Sequence, residues 1–577
     1  MKILLTAINA KYIHSNLAVY SLQAYAEAQG HKIERAEYTI NNQLDDILEK
    51  IYCQKPDVLI FSCYIWNIEY VRELAAEFHK LRPEVPIWVG GPEVSFETER
   101  FLKENPAITG IMMGEGERTL TELCTSFEQE NSLEKIDGIS YRRGDGTVAV
   151  QPLRSLLPMD ELPFCYANLQ DFEHRIIYYE SSRGCPFSCS YCLSSVDKKL
   201  RFRSLPLVYR ELQFFIDAKV PQVKFVDRTF NCRHEHAMGI WNYIKEHDNG
   251  ITNFHFEISA DLLREDELEL ISDMRPGLIQ LEIGVQSTNG ATIREIHRTM
   301  RLEDVYRAVN RVKAGKNIHQ HLDLIAGLPF EDYERFQQSF DDIYALHPQQ
   351  LQLGFLKVLR GSFMHEHTEE YDCHYQEREP YEVLYTKWLP YDDVLKLKDV
   401  EEMVEVYYNS GQFVHTLPMI ERLYENPFDF FQELGDFYRA KGYSEAAHNR
   451  IQRYEILLEF LRDEKQQDEA FFRQMMVLDL YARENMKTRP RFAKDPSEWK
   501  NESRDFYQKE AETRTLLPSY TTYDWKQLQR MTHVEVFDYD VLGNGEKARM
   551  VLLFDYQKRD PLTGNAEMID CSELFYA

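Results

Sequence analysis

Arg183-Gly184-Cys185-Pro186-Phe187-Ser188-Cys189-Ser190-Tyr191-Cys192 is the stretch on which the reading of this 577-residue chain turns. It follows Ile176–Glu180, an apolar run that reads as a strand, so the loop starts where a strand ends. Three cysteines at C-x3-C-x2-C spacing stand close in sequence, and Gly184 and Pro186 shape the loop so that the side chains converge. A structural zinc site takes four ligands, commonly as two separated pairs, and no second pair is visible. Three close thiolates suit a cubane iron–sulfur cluster, which leaves one iron for another ligand. The other seven cysteines, Cys53, Cys63, Cys124, Cys165, Cys232, Cys373 and Cys571, are scattered and read as reduced thiols.

Downstream of the loop, strand and helix signals alternate. Strands are expected at 176–180, 223–227, 254–259, 278–285, 322–326 and 351–358, with helices such as 208–218, 235–246, 302–314 and 332–346 between them. Six β/α units fit a partial (β/α)6 barrel of the TIM type over 173–365, since a full barrel takes about 250 residues. Upstream, residues 1–140 carry five strands, each followed by a helix, which implies a parallel, doubly wound Rossmann-like sheet. Such sheets bind ligands at the carboxyl ends of their strands. Residues 141–172 form a linker, with a turn at Gly144-Asp145-Gly146 and prolines at 152, 158 and 163. Residues 366–577 form a C-terminal extension. Within it, 381–485 read as helical and 486–520 as charged and irregular, while Val534–Tyr539 and Met550–Tyr556 flank Gly543-Asn544-Gly545 as a β-hairpin. Its aromatic groups, Tyr407-Tyr408, Phe428–Phe431 and Phe471-Phe472, read as core. The fold class is α/β with a mainly helical C-terminal domain.

A hydrophobic fraction of 44% with 13% aromatics fits an ordered chain. The net charge of −28 repels nucleic acid at long range and argues against general DNA binding. No apolar run approaches the roughly 20 residues of a membrane helix. The first ten residues are too short for a signal peptide, so a cytoplasmic chain without a membrane partner is expected. Against that charge, Asp197–Arg203 is a basic run with two readings: a solvated face, or a grip on the phosphate or carboxylate of a substrate.

The cysteine loop resembles the signature of the radical SAM superfamily. The resemblance implies that Cys185, Cys189 and Cys192 ligate a [4Fe–4S] cluster whose open iron chelates S-adenosyl-L-methionine (SAM). It further implies one-electron cleavage to a 5′-deoxyadenosyl radical, an external donor such as flavodoxin or ferredoxin, and contact of Tyr191 with the adenine. Further strand ends look family-like, and the resemblance implies Asp227, Glu257, Gln286, Ser287 and Arg298 as SAM contacts.

The N-terminal domain resembles that of the cobalamin (B12)-binding branch. Val89-Gly90-Gly91-Pro92-Glu93 matches its fourth strand and turn, and Ser62–Asn67 ends the third strand. Implied cobalamin contacts are Ser62, Tyr64, Gly90, Gly91, Pro92 and Glu93, with the adjacent glycines letting the backbone approach a large planar ligand. The Asp-x-His-x-x-Gly motif is absent and His14 has the wrong context, so cobalamin without a protein histidine on cobalt is expected. The C-terminal region resembles the uncharacterised, DUF4080-like extension of one subgroup.

The resemblance as a whole implies a cobalamin-dependent radical SAM enzyme, a methyltransferase acting on an unactivated carbon of a small molecule. Three alternatives stay open: modification of a nucleoside within tRNA, by methylation or methylthio-type chemistry; a non-methylating radical rearrangement; and a non-enzymatic iron–sulfur sensor.

Overall fold

The computed structural model describes residues 1–129, 131–196, 198–467 and 469–576. It divides into two compact units: 1–315 with 327–332 and 355–390, and 316–326 with 333–354 and everything from 391 onward.

The first unit opens with a seven-stranded sheet. β1 (Ile3–Asn9), β2 (Ile33–Thr39), β3 (Val58–Ser62), β4 (Ile87–Gly90) and β5 (Gly110–Met112) are parallel, in the order β2-β1-β3-β4-β5. β6 (Ile139–Arg142) and β7 (Val148–Val150) continue the sheet as an antiparallel hairpin, turning at 143–147, so it runs to Val150. Every residue of β1 and β3 is buried, as expected where helices cover both faces. The helix Ile68–Leu81 shows how one face is covered. Its buried residues, Ile68, Val71, Leu74, Ala75 and Phe78, recur at helical spacing and join Leu59, Phe61 and Val89 in one core. The strand order reverses between β1 and β3, which puts a ligand crevice outside their carboxyl ends.

A second set of strands follows. β8 (Ile177–Tyr179) leads into β9 (Ser182–Arg183) and β10 (Arg201–Phe202), an antiparallel pair of two residues each. β11 (Gln222–Phe225), β12 (Asn253–Ile258) and β13 (Ile279–Gln286) then line up parallel to β8 in chain order. The helices Leu205–Asp217, His234–Glu246 and Glu265–Ser272 alternate with them. In β13, Ile279, Leu281, Ile283 and Val285 are buried, while Gln280, Glu282, Gly284 and Gln286 stay partly open. Barrel interiors are usually filled by branched aliphatics. Here the open face carries Tyr178, Lys224, Glu257 and Glu282, which marks it as a site rather than as packing.

The remaining two strands of the six β/α repeats are β14 (His319–Ala326) and β15 (Gln350–Phe355). β14, and β15 up to Gly354, belong to the second unit. No closed barrel is found among the described residues. Residues 355–390 return to the first unit with a short helix, Phe363–Glu366, and a small hairpin, His374–Tyr375 with Val383–Tyr385. The helical region therefore begins at Tyr391, ten residues later than its composition suggests.

In the second unit the helices Tyr391–Met403, Pro427–Lys441, Arg450–Asp463 and Glu469–Arg483 bury Tyr407, Phe428, Phe430 and Phe431 completely. Tyr407 and Tyr438 satisfy each other through their hydroxyls at 2.6 Å, so these aromatics are core. One expectation needs correction. The irregular stretch contains the helix Lys500–Thr513, which buries only Phe506, Tyr507 and Glu510 and so shows no apolar period. The expected hairpin forms between Thr532–Tyr539 and Lys547–Arg559, and Ala566–Asp570 extends it to a three-stranded antiparallel sheet. Its third strand, AEMID, is a short edge whose acidic residues hide the alternation. Among the described residues no helix is long and apolar enough to cross a membrane.

Candidate functional site

The cysteine loop hangs between β9 and β10, where Arg183 pairs with Arg201 across the ladder. Gly184 has φ +93°, and a Cβ there would lie 2.8 Å from the Lys199 carbonyl oxygen, so only glycine closes the loop's base. Cys185 and Cys189 are buried and Cys192 is partly open. Burial pushes the Cys185 thiol up, so a thiolate there calls for a cationic partner. Among the described residues no group of three or more His, Cys, Asp or Glu side chains forms a site for a single metal ion. A cubane places its thiolates on separate irons, so it does not need them to converge on one point.

Asp227, expected beside SAM, lies instead beneath the strand that leads into the loop. It accepts hydrogen bonds from the Ser181 amide at 3.0 Å, the Ser181 hydroxyl at 2.7 Å and the Ser182 hydroxyl at 2.5 Å. Burial pushes its carboxyl up to about 6 against those bonds. His236 Nε2 stands 3.0 Å from the same Ser181 hydroxyl, with its imidazole driven down to about 4 by burial and then by Arg233. The neutral ring therefore donates to the serine, which donates onward to Asp227.

Arg183 meets Glu180 at 2.7 Å, Glu117 at 3.0 Å and Glu115 at 3.6 Å. Burial works against its charge, but the three carboxylates more than offset this. Glu115 and Glu117 follow β5, so the N-terminal sheet's carboxyl edge holds the base of the cysteine loop. Glu115 and Glu117 are not legible as partners in the sequence because they lie in an ordinary acidic turn, Glu117 66 residues from Arg183. The same edge contributes His14, whose Nδ1 is 2.5 Å from the Tyr178 hydroxyl.

The end of β13 gathers several expected residues. Arg298 donates to the Gly284 carbonyl, stands 3.3 Å from the Tyr191 hydroxyl and 3.8 Å from Cys189 Sγ. Gln286 has φ +74°, a rare conformation for a side-chain-bearing residue, and its amide folds over Gly284, where a Cβ would be 2.3 Å away. Cys189, Tyr191, Gln286 and Arg298 are thus brought together. Ser287 is not among them. It is buried, gives its hydroxyl to Glu331 at 2.7 Å and accepts from the Asn289 amide.

Glu257 lies on the open face with residues that sequence reading passed over. Lys224 Nζ is 2.9 Å from Glu282 and 3.8 Å from Glu257, and His255 Nε2 is 3.0 Å from Glu282. Burial works to raise Glu282, yet His255 and Lys224 hold it down at about 2. Glu257 is raised by burial and then by the Glu282 charge. A lysine inside the strand QVKF was the available signal.

In the N-terminal domain, Gly91 has φ +126°, and a Cβ there would stand 2.3 Å from the Cys63 carbonyl oxygen. At Gly90 a Cβ would press on the Met112 side chain at 3.2 Å. Internal packing therefore already requires a glycine at 91, while at 90 only the end of a flexible methionine side chain would have to give. Ser62 is buried and accepts from the Asn16 amide at 3.4 Å. Tyr64 stacks on Trp66 with centroids 4.4 Å apart, leaving Trp66 41% exposed at the crevice. Pro92 is exposed, and Glu93 is half-buried and bonded to Tyr381.

The basic run is a solvated face only at its lysines, and its two arginines are taken up by the fold. Arg201 pairs with Glu115, and Arg203 is buried against Glu211 and the Leu162 carbonyl at 3.0 Å. Both guanidinium groups are used by the fold. Lys198 and Lys199 are exposed, and Asp197 lies outside the described residues.

Residues 3–124 match the B12 binding domain family, residues 179–343 the Radical SAM superfamily, and residues 369–554 a family described as a protein of unknown function, DUF4080. The chain thus carries, in order, a B12-binding domain, a radical SAM domain and a DUF4080 region. It is similar to the cobalamin-dependent radical SAM methyltransferase TokK of Streptomyces tokunonensis, 26% identical over 313 residues, or 50% of this chain and 45% of that protein. It is also 26% identical over 318 residues to an uncharacterized methyltransferase of Pyrococcus horikoshii, covering 52% of this chain and 68% of that one. The solved structure of the cobalamin-dependent S-adenosylmethionine radical enzyme OxsB, with aqua-cobalamin bound, superposes with a TM-score of 0.60 at 16% identity, over 83% of this chain and 80% of that one, which bears on fold alone. The chain spans about half the length of the first curated relatives it matches.

Proposed function

We propose that the chain is a cobalamin-dependent radical SAM methyltransferase acting on an unactivated carbon of a small molecule. The observation that carries this reading is the meeting of two strand-end regions in one compact unit. The cysteine loop ends β9, and the carboxyl edge of the N-terminal sheet grips it through Arg183.

The residues fit the groups the family implies. Cys185, Cys189 and Cys192 offer three thiols, with the Arg298 cation beside Cys189, a setting suited to an anionic sulfur cluster. Gln286 and Arg298, next to Tyr191, would orient SAM at the open iron. Cobalamin would occupy the crevice outside β1, β3 and β4, against Tyr64 and Trp66. His14 is committed to Tyr178, which supports cobalt without a protein histidine. Bound there, these groups would supply one-electron cleavage of SAM and a methyl carrier, chemistry that no side chain offers.

The chain's own residues then bind, orient and exclude. Asp227 and the Ser181–His236 relay fix the strand before the loop. Arg298 opposes the build-up of negative charge at Cys189. Lys224, Glu257 and Glu282 present both signs of charge on the open face, where they would orient a polar substrate. Ten unbridged cysteines support a reducing, cytoplasmic setting, with the electron coming from a small reduced iron–sulfur protein or flavoprotein.

The test is anaerobic reconstitution with iron, sulfide and hydroxocobalamin, then incubation of methyl-labelled SAM with metabolite and tRNA pools. Label should move to a small molecule, with 5′-deoxyadenosine and S-adenosylhomocysteine both formed. Label in tRNA, or turnover with 5′-deoxyadenosine alone, would replace the reading. A cluster that never cleaves SAM would end it.

A further inference from the structure

Residues 355–390 touch both loops of the proposed centre. The Met364 amide, in the helix Phe363–Glu366, donates to the Ser190 carbonyl at 2.9 Å, inside the cysteine loop. The Phe363 ring meets His297 edge-on at 4.9 Å, and the Tyr371 hydroxyl donates to Glu295 at 2.9 Å. The segment therefore also secures the turn that aims Arg298 at Cys189. On its other side Gly361 packs onto Phe96, where a Cβ would lie 2.4 Å from the ring, so backbone meets aromatic with nothing between. Phe96 and Glu93 follow the glycine turn directly.

Tyr381 completes this second contact. It is 1% exposed, and its hydroxyl bonds both Glu93 Oε1 and, at 2.7 Å, Glu379 Oε1. A tyrosine hydroxyl has one hydrogen to give, so two carboxyl oxygens on it need a second. One of the two glutamates is therefore a carboxylic acid that donates back to the tyrosine oxygen. Arg72 lies 3.7 Å from Glu379, which marks Glu93 as the protonated partner. Arg360 covers the Tyr381 ring at 5.2 Å.

We propose that residues 355–390 form a bracket that sets the cysteine loop and the glycine turn at a fixed separation, with Tyr381 as the positioning residue for the turn. The bracket rests on the cobalamin reading of that turn for its purpose, but not for its existence. It gives the start of the DUF4080 region, which begins at residue 369, a role in assembling the centre. Glu93 is faced by Tyr381, Glu379, Arg72, Arg360 and Cys63. Burial raises its carboxyl, so the clasp is intact at low pH and loosens as pH climbs through that raised value.

The test uses the full chain without added cofactors and reads amide hydrogen exchange. Tyr381→Phe keeps the ring and removes the hydroxyl. It should speed exchange across residues 88–97 about tenfold, as expected for a lost buried hydrogen bond to a carboxyl, while helix Ile68–Leu81 is unaffected. Glu93→Gln, a neutral isostere that still donates, should keep the turn protected and abolish the pH dependence of that protection. Unchanged exchange in Tyr381→Phe overturns the bracket. A second readout is hydroxocobalamin titration, where Tyr381→Phe should bind about tenfold more weakly at unchanged iron content after reconstitution. If the unaltered chain fails to bind cobalamin, the functional reading falls while the exchange data still judge the bracket.

Discussion

The cysteine loop at 185–192 and the glycine turn at 90–93 both lie at the carboxyl ends of parallel strands, but different forces hold them. The loop is fastened by charged and buried polar side chains that come from afar: Asp227 below, Arg183 with three carboxylates at the base, Arg298 at Cys189. The turn is fastened mainly by its own backbone, with Gly91 against the Cys63 carbonyl and the Ser95 hydroxyl closing onto Gly91 at 2.8 Å. The loop should therefore respond to charge and pH, and the glycine pair itself to shape, with only the Glu93–Tyr381 clasp beside it following pH. Substitutions that separate these responses test whether the contrast is real.

The largest effect concerns the loop's thiols. Replacing Cys185, Cys189 and Cys192 together with Ala should abolish iron incorporation and 5′-deoxyadenosine formation, with cobalamin binding retained. A triple variant that still holds four irons would show that the cluster is elsewhere. Because the turn shares no side chain with the thiols, loss of cobalamin in the same variant would break the contrast as well.

Shape comes next. Gly91→Ala forces a left-handed conformation on alanine and drives its Cβ into a carbonyl oxygen at 2.3 Å. Backbone strain of about 1–3 kcal/mol and overpacking of similar size give an expected loss of roughly 2–6 kcal/mol. The midpoint of thermal unfolding followed by circular dichroism reads it. Gly144→Ala is the control, since nothing lies within 4 Å of its would-be Cβ, and it should shift the midpoint little. Equal shifts in the two variants would deny that the turn is held by shape.

The difference between the loops also decides what the sequence could reveal. Alternating strand and helix runs expose the parallel sheets, because buried strands such as VLIFS need no partner to be recognised. The thiol spacing is equally local. Arg201 and Arg203 were misread because a basic run looks alike whether water or Glu115 and Glu211 face it. Asp227 sits at a strand end where ligand contacts are expected, yet its partners, Ser181 and Ser182, lie upstream of the thiols. The close approach of Gly91 to the Cys63 carbonyl is a second reason for a glycine there, and a carbonyl one strand away is invisible in a linear reading. Lys224 was overlooked because its two carboxylates come from other strands.

Charge should show itself in Asp227. Its carboxyl is held at about 6, above the ordinary 3.8, so its contribution to stability is full below about pH 4 and lost as pH rises through about 6. The change amounts to about 3 kcal/mol at 1.36 kcal/mol per decade of affinity. In Asp227→Asn that dependence should vanish, with a constant penalty of about 1–3 kcal/mol, because an amide nitrogen would face the Ser181 amide. Urea midpoints from pH 4 to 7 compare the two chains. Curves that run parallel across that range would mean Asp227 does not titrate as its burial requires.

The smallest effect sharpens the contrast from the turn's side. Ser95 closes the turn with its side chain: its hydroxyl donates to the Gly91 carbonyl at 2.8 Å and accepts from the Gly114 amide at 3.3 Å. Ser95 is half-buried, and Gly114 and its neighbours are open enough for water to replace the second bond. Ser95→Ala should therefore cost only about 1 kcal/mol, the net worth of one ordinary hydrogen bond. That cost should not vary between pH 4 and 7, because neither partner titrates there. Local exchange at residues 90–95 should rise, while the cysteine loop keeps its protection. A penalty of several kcal/mol, or one that follows pH, would mean that hydrogen bonding rather than backbone fit holds the turn, and the two loops would then differ in degree only.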